Sequence, residues 1–315
     1  MDVIGEAGHG TALQNRILST LRFFDLQDVP LTLFELHKFL VNDTAEIKKN
    51  INTDYEYIGK EAQNYEQVKI SDILLCLNEQ LKTQVESKKG YYCLVNRTNI
   101  IETRINNYFY GFFREKRIKK YLWFLKYIPF VRGVAILGSQ ALGQPKPNSD
   151  IDLFIVTDSE FLGLGRALAT AYFQVLGLRR HGKYISNRFC LNHYLAGVRA
   201  LPGDRNLYTA MEYLKLRPVF GFRIWQDFQN NNNWVSLFFP HAKKPPIELA
   251  ESQAFLQRVL EKILRNSFGR KLEEKIKSAQ LGRIQRGEFI VADETEMSFH
   301  PNNRKSQLFS AFFEN

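Results

Sequence analysis

The feature that most constrains this fold is a glycine–serine pair followed by an Asp-x-Asp motif, each attached to an apolar, β-rich run. The run 131–137 leads directly into Gly138-Ser139, and Asp150-Ile151-Asp152 opens a second apolar run after an intervening loop. An amphipathic helical pattern over 160–178 and a third extended run over 188–195 follow. Strand, loop, strand, helix and strand in this order predict a sheet covered by helices.

The two motifs together indicate a site for a metal and a phosphate. Asp150 and Asp152 are two residues apart on an expected strand, so their side chains project from the same face. Two adjacent carboxylates repel each other unless a divalent cation lies between them, and oxygen ligands suit Mg²⁺. Gly138 permits a close approach of the backbone to a phosphate, and Ser139 offers a hydroxyl and a backbone N–H. The sequence therefore predicts a nucleotide-phosphate and metal site.

The order of these motifs resembles the signature of the DNA polymerase beta-like nucleotidyltransferase superfamily, over residues 131–195. The chain also resembles bacterial proteins in which a nucleotidyltransferase domain follows a winged-helix-like region. That second resemblance is carried by four segments spread along most of the chain: 24–32, 190–194, 216–221 and 299–301.

The resemblance implies a reaction and roles for particular residues. An acceptor hydroxyl would attack the α-phosphate of a nucleoside triphosphate, transferring the nucleoside monophosphate and releasing pyrophosphate. Ser139 would bind the terminal phosphates, and Asp150 and Asp152 would be the catalytic carboxylates that hold Mg²⁺ or Mn²⁺.

The chain departs from the superfamily pattern at the third strand, where active members usually carry one more carboxylate. The run 188–194 contains no acid, and Asn192 is the best positional match, a neutral oxygen ligand for the metal. His193 would point to the opposite face of a regular strand. Asp204 or Glu212 could supply an acid from elsewhere, but nothing in the sequence places either of them at the site.

A basic loop precedes the third strand and is a second candidate for phosphate contact. Lys183, with Arg179 and Arg180, could bind the triphosphate, although the same composition is typical of a solvated loop.

The N-terminal part, residues 10–97, has the plan of a winged helix. Apolar periodicity predicts a helix after residue 13, the capping box Thr32…Glu35 opens a second, and a third begins at Ser71-Asp72. A hairpin turning at Lys88-Lys89-Gly90 would be the wing. The polar stretch 42–70 is interpreted as an insertion.

The remaining chain is divided by the same criteria into four parts, with an α+β fold overall. A long basic helix over 98–128 precedes the nucleotidyltransferase core, 129–200, with its mixed sheet. A helical region over 201–286 and an extended C-terminal arm over 287–315 follow.

The net charge of +10 favours polyanionic partners, and six of the Lys and Arg residues lie within 114–126. The sequence lacks both a signal-peptide pattern and a membrane span, and its three separated cysteines predict reduced thiols, so we expect a cytoplasmic protein without membrane contact. Three interpretations stay open: a nucleotidyltransferase, a nucleotide-binding protein with little turnover whose winged helix binds nucleic acid or protein, and a scaffold with a relic site. The oligomeric state is not indicated.

Overall fold

A computed structural model describes residues 3–42, 68–198, 205–242, 254–284 and 290–299. Most of the expected insertion 42–70, Asp204 and most of the expected arm 287–315 fall outside these residues. Within them, no helix has both the length and the apolar composition needed to cross a membrane.

The described residues of the N-terminal unit form three helices and a small antiparallel sheet. Its helices are α1 (Val3–Asp25), α2 (Leu33–Lys38) and α3 (Ile70–Glu79), and its strands are β1 (Leu31–Thr32), β2 (Val85–Lys88) and β3 (Tyr91–Leu94). The strand order is β1-β3-β2. The expected capping box is present, since the Glu35 N–H donates to Thr32 Oγ1 at 3.3 Å and the Thr32 N–H donates to Glu35 Oε2 at 3.0 Å.

A long helix, α4 (Asn99–Trp123), connects this unit to the rest of the molecule and continues as a 3₁₀ turn through Tyr127. Arg104 of α4 is buried and pairs with Glu35 at 2.6 Å, and Arg97 pairs with Asp25 at 2.8 Å. These ion pairs fix the start of α4 against the N-terminal unit.

In the part of the chain that the structure describes, the central sheet has six strands in the order β7-β4-β5-β6-β9-β8. The strands are β4 (Val131–Ile136), β5 (Ile151–Thr157), β6 (Phe189–Ala196), β7 (Arg217–Phe220), β8 (Ile290–Ala292) and β9 (Glu296–Phe299). β5 is antiparallel to β4 and parallel to β6, so the sheet is mixed as expected.

The helices that follow β4 complete the fold. They are α5 (Gly138–Ala141), α6 (Leu162–Val175), α7 (Leu207–Lys215), α8 (Phe222–Asn231), α9 (Val235–Phe238), α10 (Phe255–Leu264) and α11 (Ser267–Arg283). The region 201–286 was expected to be helical, yet β7 lies within it and pairs with β4, because Pro218 ends the helical pattern and the next residues reach the sheet edge.

Alternation along β5 gives the sheet two buried faces. Phe154 and Val156 belong to the same apolar cluster as Phe24 and Leu36 of the N-terminal unit, whereas Leu153 and Ile155 pack with residues of α4 and α6. The N-terminal unit therefore shares an apolar core with one face of β5.

Candidate active site

Gly138 lies at the turn between β4 and α5, directly against Asp152. Its φ of +62° is in the left-handed region, and a Cβ atom there would collide with Asp152 Oδ2. The Leu137 N–H also donates to the Asp152 carbonyl at 2.9 Å. A glycine is thus required by both backbone conformation and space, and the Gly-Ser pair and the Asp-x-Asp motif form one site.

The two aspartates lie at the start of β5, where like charges meet in a partly buried setting. Arg180 Nη1 donates to Asp150 Oδ2 at 2.6 Å, while Asp152 receives a hydrogen bond from Asn192. Burial, together with the negative charges of Asp150 and Glu212, raises the pKa of Asp152 to about 7. An ionised Asp152 is therefore disfavoured until a positive charge approaches it.

Strand β6 runs beside the aspartates with an irregular register. Asp152 is opposite Cys190 and Phe154 is opposite His193, so β6 has one extra residue between these pairs. Asn192 lies in this extra segment, and its Nδ2 donates to Asp152 Oδ1 at 2.9 Å. Its position beside the motif agrees with the expectation from sequence.

The same irregularity corrects the expectation for His193. Its ring stacks on Phe154 with centroids 3.9 Å apart, and Nε2 lies 3.0 Å from Glu296 Oε1. Phe154 and Asp152 are two apart on β5 and share a face, so His193 lies on the side of the sheet that carries Asn192. The expectation assumed a regular strand, and the extra residue breaks the alternation.

Cys190 joins the aspartates in a group that the sequence did not suggest. One ligand atom from each of Asp150, Asp152 and Cys190 lies within 4.8 Å of the others. Burial and the two carboxylates raise the pKa of the Cys190 thiol to about 12, so the neutral thiol is a poor ligand for a hard cation. The carboxylate oxygens are the donors suited to Mg²⁺.

The basic helix α4 helps to hold the loop before Asp150. Arg114 is buried and donates to Ser149 Oγ at 3.2 Å and to the Ser149 carbonyl at 3.0 Å. Tyr110 Oη donates to Asn187 Oδ1 at 3.0 Å. Part of the basic run is therefore structural, although Lys116, Arg117 and Lys120 are exposed.

A cavity of about 480 Å³ opens above the motifs and is walled by several parts of the chain. The core contributes Gly138, Ser139, Asp150, Asp152 and Asn192, among others. The other walls come from the N-terminal unit, α4 and α7, with Gln27, Asp28, Asn99, Thr103, Asn107, Met211, Glu212 and Lys215. The volume is in the range of ligand sites in proteins.

The positions of two candidate residues, Glu212 and Lys183, differ from what the sequence suggested. Glu212, which nothing in the sequence placed at the site, lines the cavity and acts electrostatically on Asp152. Lys183 lies in an exposed loop, outside the residues lining the cavity, with its Nζ 5.8 Å from the Tyr184 ring centroid. Arg180 of the same loop reaches Asp150 instead. A phosphate-binding role for Lys183 stays a prediction.

The comparison with protein families agrees with this geometry. Residues 115–188 match the family model of the nucleotidyltransferase domain. The matched segment takes in the later part of α4, the Gly-Ser turn and the Asp-x-Asp motif, and it ends just before β6. No curated protein and no solved structure matches the chain. The match supports nucleotidyl transfer as the general kind of reaction and a nucleotide as substrate, and this family usually uses divalent metals.

Proposed function

We propose that this protein is a Mg²⁺- or Mn²⁺-dependent nucleotidyltransferase that moves a nucleoside monophosphate from a nucleoside triphosphate to an acceptor hydroxyl. The observation that carries the proposal is the contact of Gly138 with Asp152, beside Asp150, in the wall of a ligand-sized cavity. The roles below are proposed on the geometry of the same residues.

The donor set fits a hard divalent cation. Asp150 and Asp152 would hold it, and Asn192 would add a neutral oxygen, because Asn192 Oδ1 is buried and has no hydrogen-bond partner among the described residues. Rotation of the amide would turn that oxygen toward the carboxylates. When bound, the cation supplies charge stabilisation for the attacking and leaving oxygens of an in-line displacement.

The phosphates would lie against the turn at Gly138 and Ser139. The missing side chain at Gly138 opens the backbone to an incoming phosphate, and Ser139 offers a hydroxyl beside it in the cavity wall. Lys146 and Lys215 also line the cavity, and they would balance the negative charge of the nucleotide.

Glu212 would accept the proton of the acceptor hydroxyl. It replaces in function the acid that is missing from β6, because it projects from α7 into the same cavity as Asp150 and Asp152. A carboxylate at this place can take the proton as the hydroxyl attacks, a contribution typically worth about 100-fold or more in rate.

The N-terminal unit would serve as a winged-helix module. The helices described in it, its strand order β1-β3-β2 and its β2–β3 hairpin support this proposal. Lys88 and Lys89 at the hairpin tip pair with Glu102 of α4 at 3.5 Å and 2.9 Å, and α3 contains no Lys or Arg. These charges favour a protein over duplex DNA as the partner of this module.

A second candidate function is a nucleotide-binding protein with little or no turnover, and Asn192 is the observation that favours it. A neutral amide in place of a carboxylate removes one negative charge from the metal site. The test must therefore separate binding from transfer.

The decisive experiment measures both on the purified protein. Each α-³²P-labelled nucleoside triphosphate is incubated with Mg²⁺ or Mn²⁺, alone and with cell extract, and label transfer is followed beside calorimetric nucleotide binding. We expect transfer that is lost in Asp150→Ala/Asp152→Ala and kept in the matched control Asp227→Ala on the exposed side of α8. Transfer that persists in the double variant excludes the site, whereas metal-dependent binding without transfer selects the second candidate.

Glu212 is tested by the conservative variant Glu212→Gln. We expect kcat to fall about 100-fold with little change in nucleotide affinity. Glu274→Gln, on the exposed side of α11, is the control. An unchanged kcat in Glu212→Gln would remove the proton-accepting role and leave the metal site unaffected.

A further inference from the structure

Helix α4 and the 3₁₀ turn that follows it expose a continuous surface of aromatic and basic side chains, here named the aromatic–basic face. Its members are Tyr108, Phe109, Phe112, Phe113, Lys116, Arg117, Lys119, Lys120, Trp123 and Phe124. At 1.5 Å per residue they cover about 24 Å of helix. Phe112 and Phe113 are 63% and 76% exposed, whereas aromatic side chains in a protein core are largely buried.

The other sides of α4 pack into the core and line the cavity. Ile118 and Leu122 are fully buried in the core, and Asn99, Thr103 and Asn107 follow one another at intervals of four residues along the cavity wall. The exposed rings neither pack into the core nor line the cavity. They contact one another instead, with Phe112 and Phe113 centroids 5.8 Å apart.

The charge of this face has one sign. Between residues 103 and 126 the chain has a single acid, Glu115, which pairs with Arg217 and with Lys119 at 2.8 Å. Lys116, Arg117 and Lys120 remain exposed beside the rings. The ammonium of Lys126 lies 3.5 Å from the Trp123 ring centroid, so a cation already occupies one ring of the face.

We propose that the aromatic–basic face binds single-stranded nucleic acid, with bases stacked on the rings and phosphates paired with the basic side chains. Rings interleaved with cations are the combination that non-specific single-strand binders use, since every base has a π-face and every nucleotide a phosphate. This binding is independent of the transferase reaction, because the face lies on a different side of α4 from the cavity wall.

Two other occupants fit the face less well. A second copy of the chain would bring the same cations together in a two-fold contact, where they repel. A helix that lies on a membrane keeps its apolar side chains on one face and its basic side chains on the other, whereas Lys116 and Lys120 lie among the exposed rings on the same side of α4.

The test is fluorescence anisotropy with short fluorescein-labelled oligouridine and oligothymidine, using the full chain. We expect binding at low salt that Phe112→Ala/Phe113→Ala weakens about thirtyfold, as two lost stacking contacts require. Lys116→Gln/Lys120→Gln should reduce the slope of log affinity against log salt by about 1.4, since each phosphate contact on a single strand contributes about 0.7. The matched control is Phe255→Ala/Phe268→Ala, which removes two rings that are 76% and 70% exposed on α10 and α11.

The outcomes distinguish the three possible occupants of the face: single-stranded nucleic acid, a second copy of the chain and a membrane surface. Binding that depends on the α4 rings but not on the control rings supports the proposal. It is overturned by absence of binding at low salt, by equal binding in the two ring variants, or by binding to phosphatidylserine vesicles without binding to oligonucleotides. A dimer in sedimentation that Phe112→Ala/Phe113→Ala dissociates, with no oligonucleotide affinity, also overturns it.

Discussion

The two ends of strand β5 carry the same residue type in opposite electrostatic settings. At its start, Asp150 and Asp152 face each other and Glu212, with Arg180 as the basic partner of Asp150. Just after its end, Asp158 is held by Arg132 at 2.8 Å and by Arg265 at 2.5 Å, and buried Glu261 receives Arg132 Nη1 at 2.7 Å.

The consequence is a pair of opposite pKa shifts. Burial first, and then Asp150, raise the pKa of Asp152, whereas at Asp158 burial is overcome by the Glu160 N–H and Arg132, which lower its pKa. At the far end, just after β5, the charges of Asp158 and Glu261 are balanced by Arg132 and Arg265. At the near end, the start of β5, the negative charges of Asp150 and Glu212 raise the pKa of Asp152, which is the electrostatic setting that the proposed metal site requires.

The largest expected effect comes from neutralising the near end. In Asp152→Asn, transfer should fall about a thousandfold because a ligand of the cation is lost, while the free energy of unfolding at neutral pH stays equal or rises because a buried, repelled charge is gone. Label transfer and urea denaturation measure the two quantities. A loss of stability in parallel with the loss of transfer would show that the aspartates at both ends of β5 stabilise the fold.

At the far end the opposite result is expected. Arg132→Met leaves Glu261 and Asp158 with less compensation, and the free energy of unfolding should fall by about 3 kcal/mol with unchanged Mn²⁺ affinity. The control Arg270→Met removes an exposed pair with Glu160 at 3.3 Å and should change stability by less than about 0.5 kcal/mol. Equal losses in both variants would contradict this assignment.

The contact between Gly138 and Asp152 predicts a smaller, local effect. Gly138→Ala and Gly90→Ala both place an alanine at positive φ, +62° and +77°, which costs about 1–2 kcal/mol of stability. A Cβ at position 90 meets nothing within 4 Å, whereas one at 138 displaces the Asp152 carboxylate. Mn²⁺ affinity, measured by calorimetry, should therefore fall in the first variant and not in the second.

The smallest effect, measured per pH unit, is a change in the free energy of unfolding with pH. A carboxyl whose folded pKa is about 7, above its ordinary 3.8, stabilises the fold below the unfolded pKa and loses that contribution as pH rises to about 7. The slope is at most about 1.4 kcal/mol per pH unit. Urea titrations from about pH 4 to pH 8 should show a fall that disappears in Asp152→Asn and weakens with saturating Mg²⁺.

Asp158 contributes in the other direction. Its lowered pKa stabilises the fold above the unfolded value, and that contribution is lost as pH falls below about 4. The variant Asp158→Asn should therefore flatten only the acid side of the titration. A flattening between pH 4 and 7 in that variant would contradict the comparison.

The sequence predicted those parts of the fold that depend on residues close together in the chain. The capping box at Thr32, the hairpin at Lys88–Gly90 and the helix before Pro129 depend on neighbouring residues, and the structure has each of them. The strands β7 and β9 depend on pairing with distant strands, so no local pattern indicated that they complete the sheet. The domain boundaries, the winged-helix assignment and the cytoplasmic location stay predictions.

The residues of the site also divide into those that depend on nearby sequence and those that depend on the whole fold. Asp150, Asp152 and Gly138 are found together because one turn and two adjacent strands bring them together. Glu212 and Arg180 arrive from a later helix and a loop, by packing that depends on the whole fold. Cys190 follows from the register of parallel strands, since it is opposite Asp152, and a register assumption could have found it.

The cavity wall has a consequence for how proteins that share this motif can diversify. The motif residues come from the segment that matches the nucleotidyltransferase family, but Gln27, Asn99, Thr103 and Met211 come from chain outside it. The Gly-Ser and Asp-x-Asp motifs and much of the remaining cavity wall are thus encoded in separate stretches of sequence. Under the proposed function, substitutions in the outer stretches can change which molecule is accepted while Asp150 and Asp152 stay untouched, so relatives that share the motif can differ in substrate.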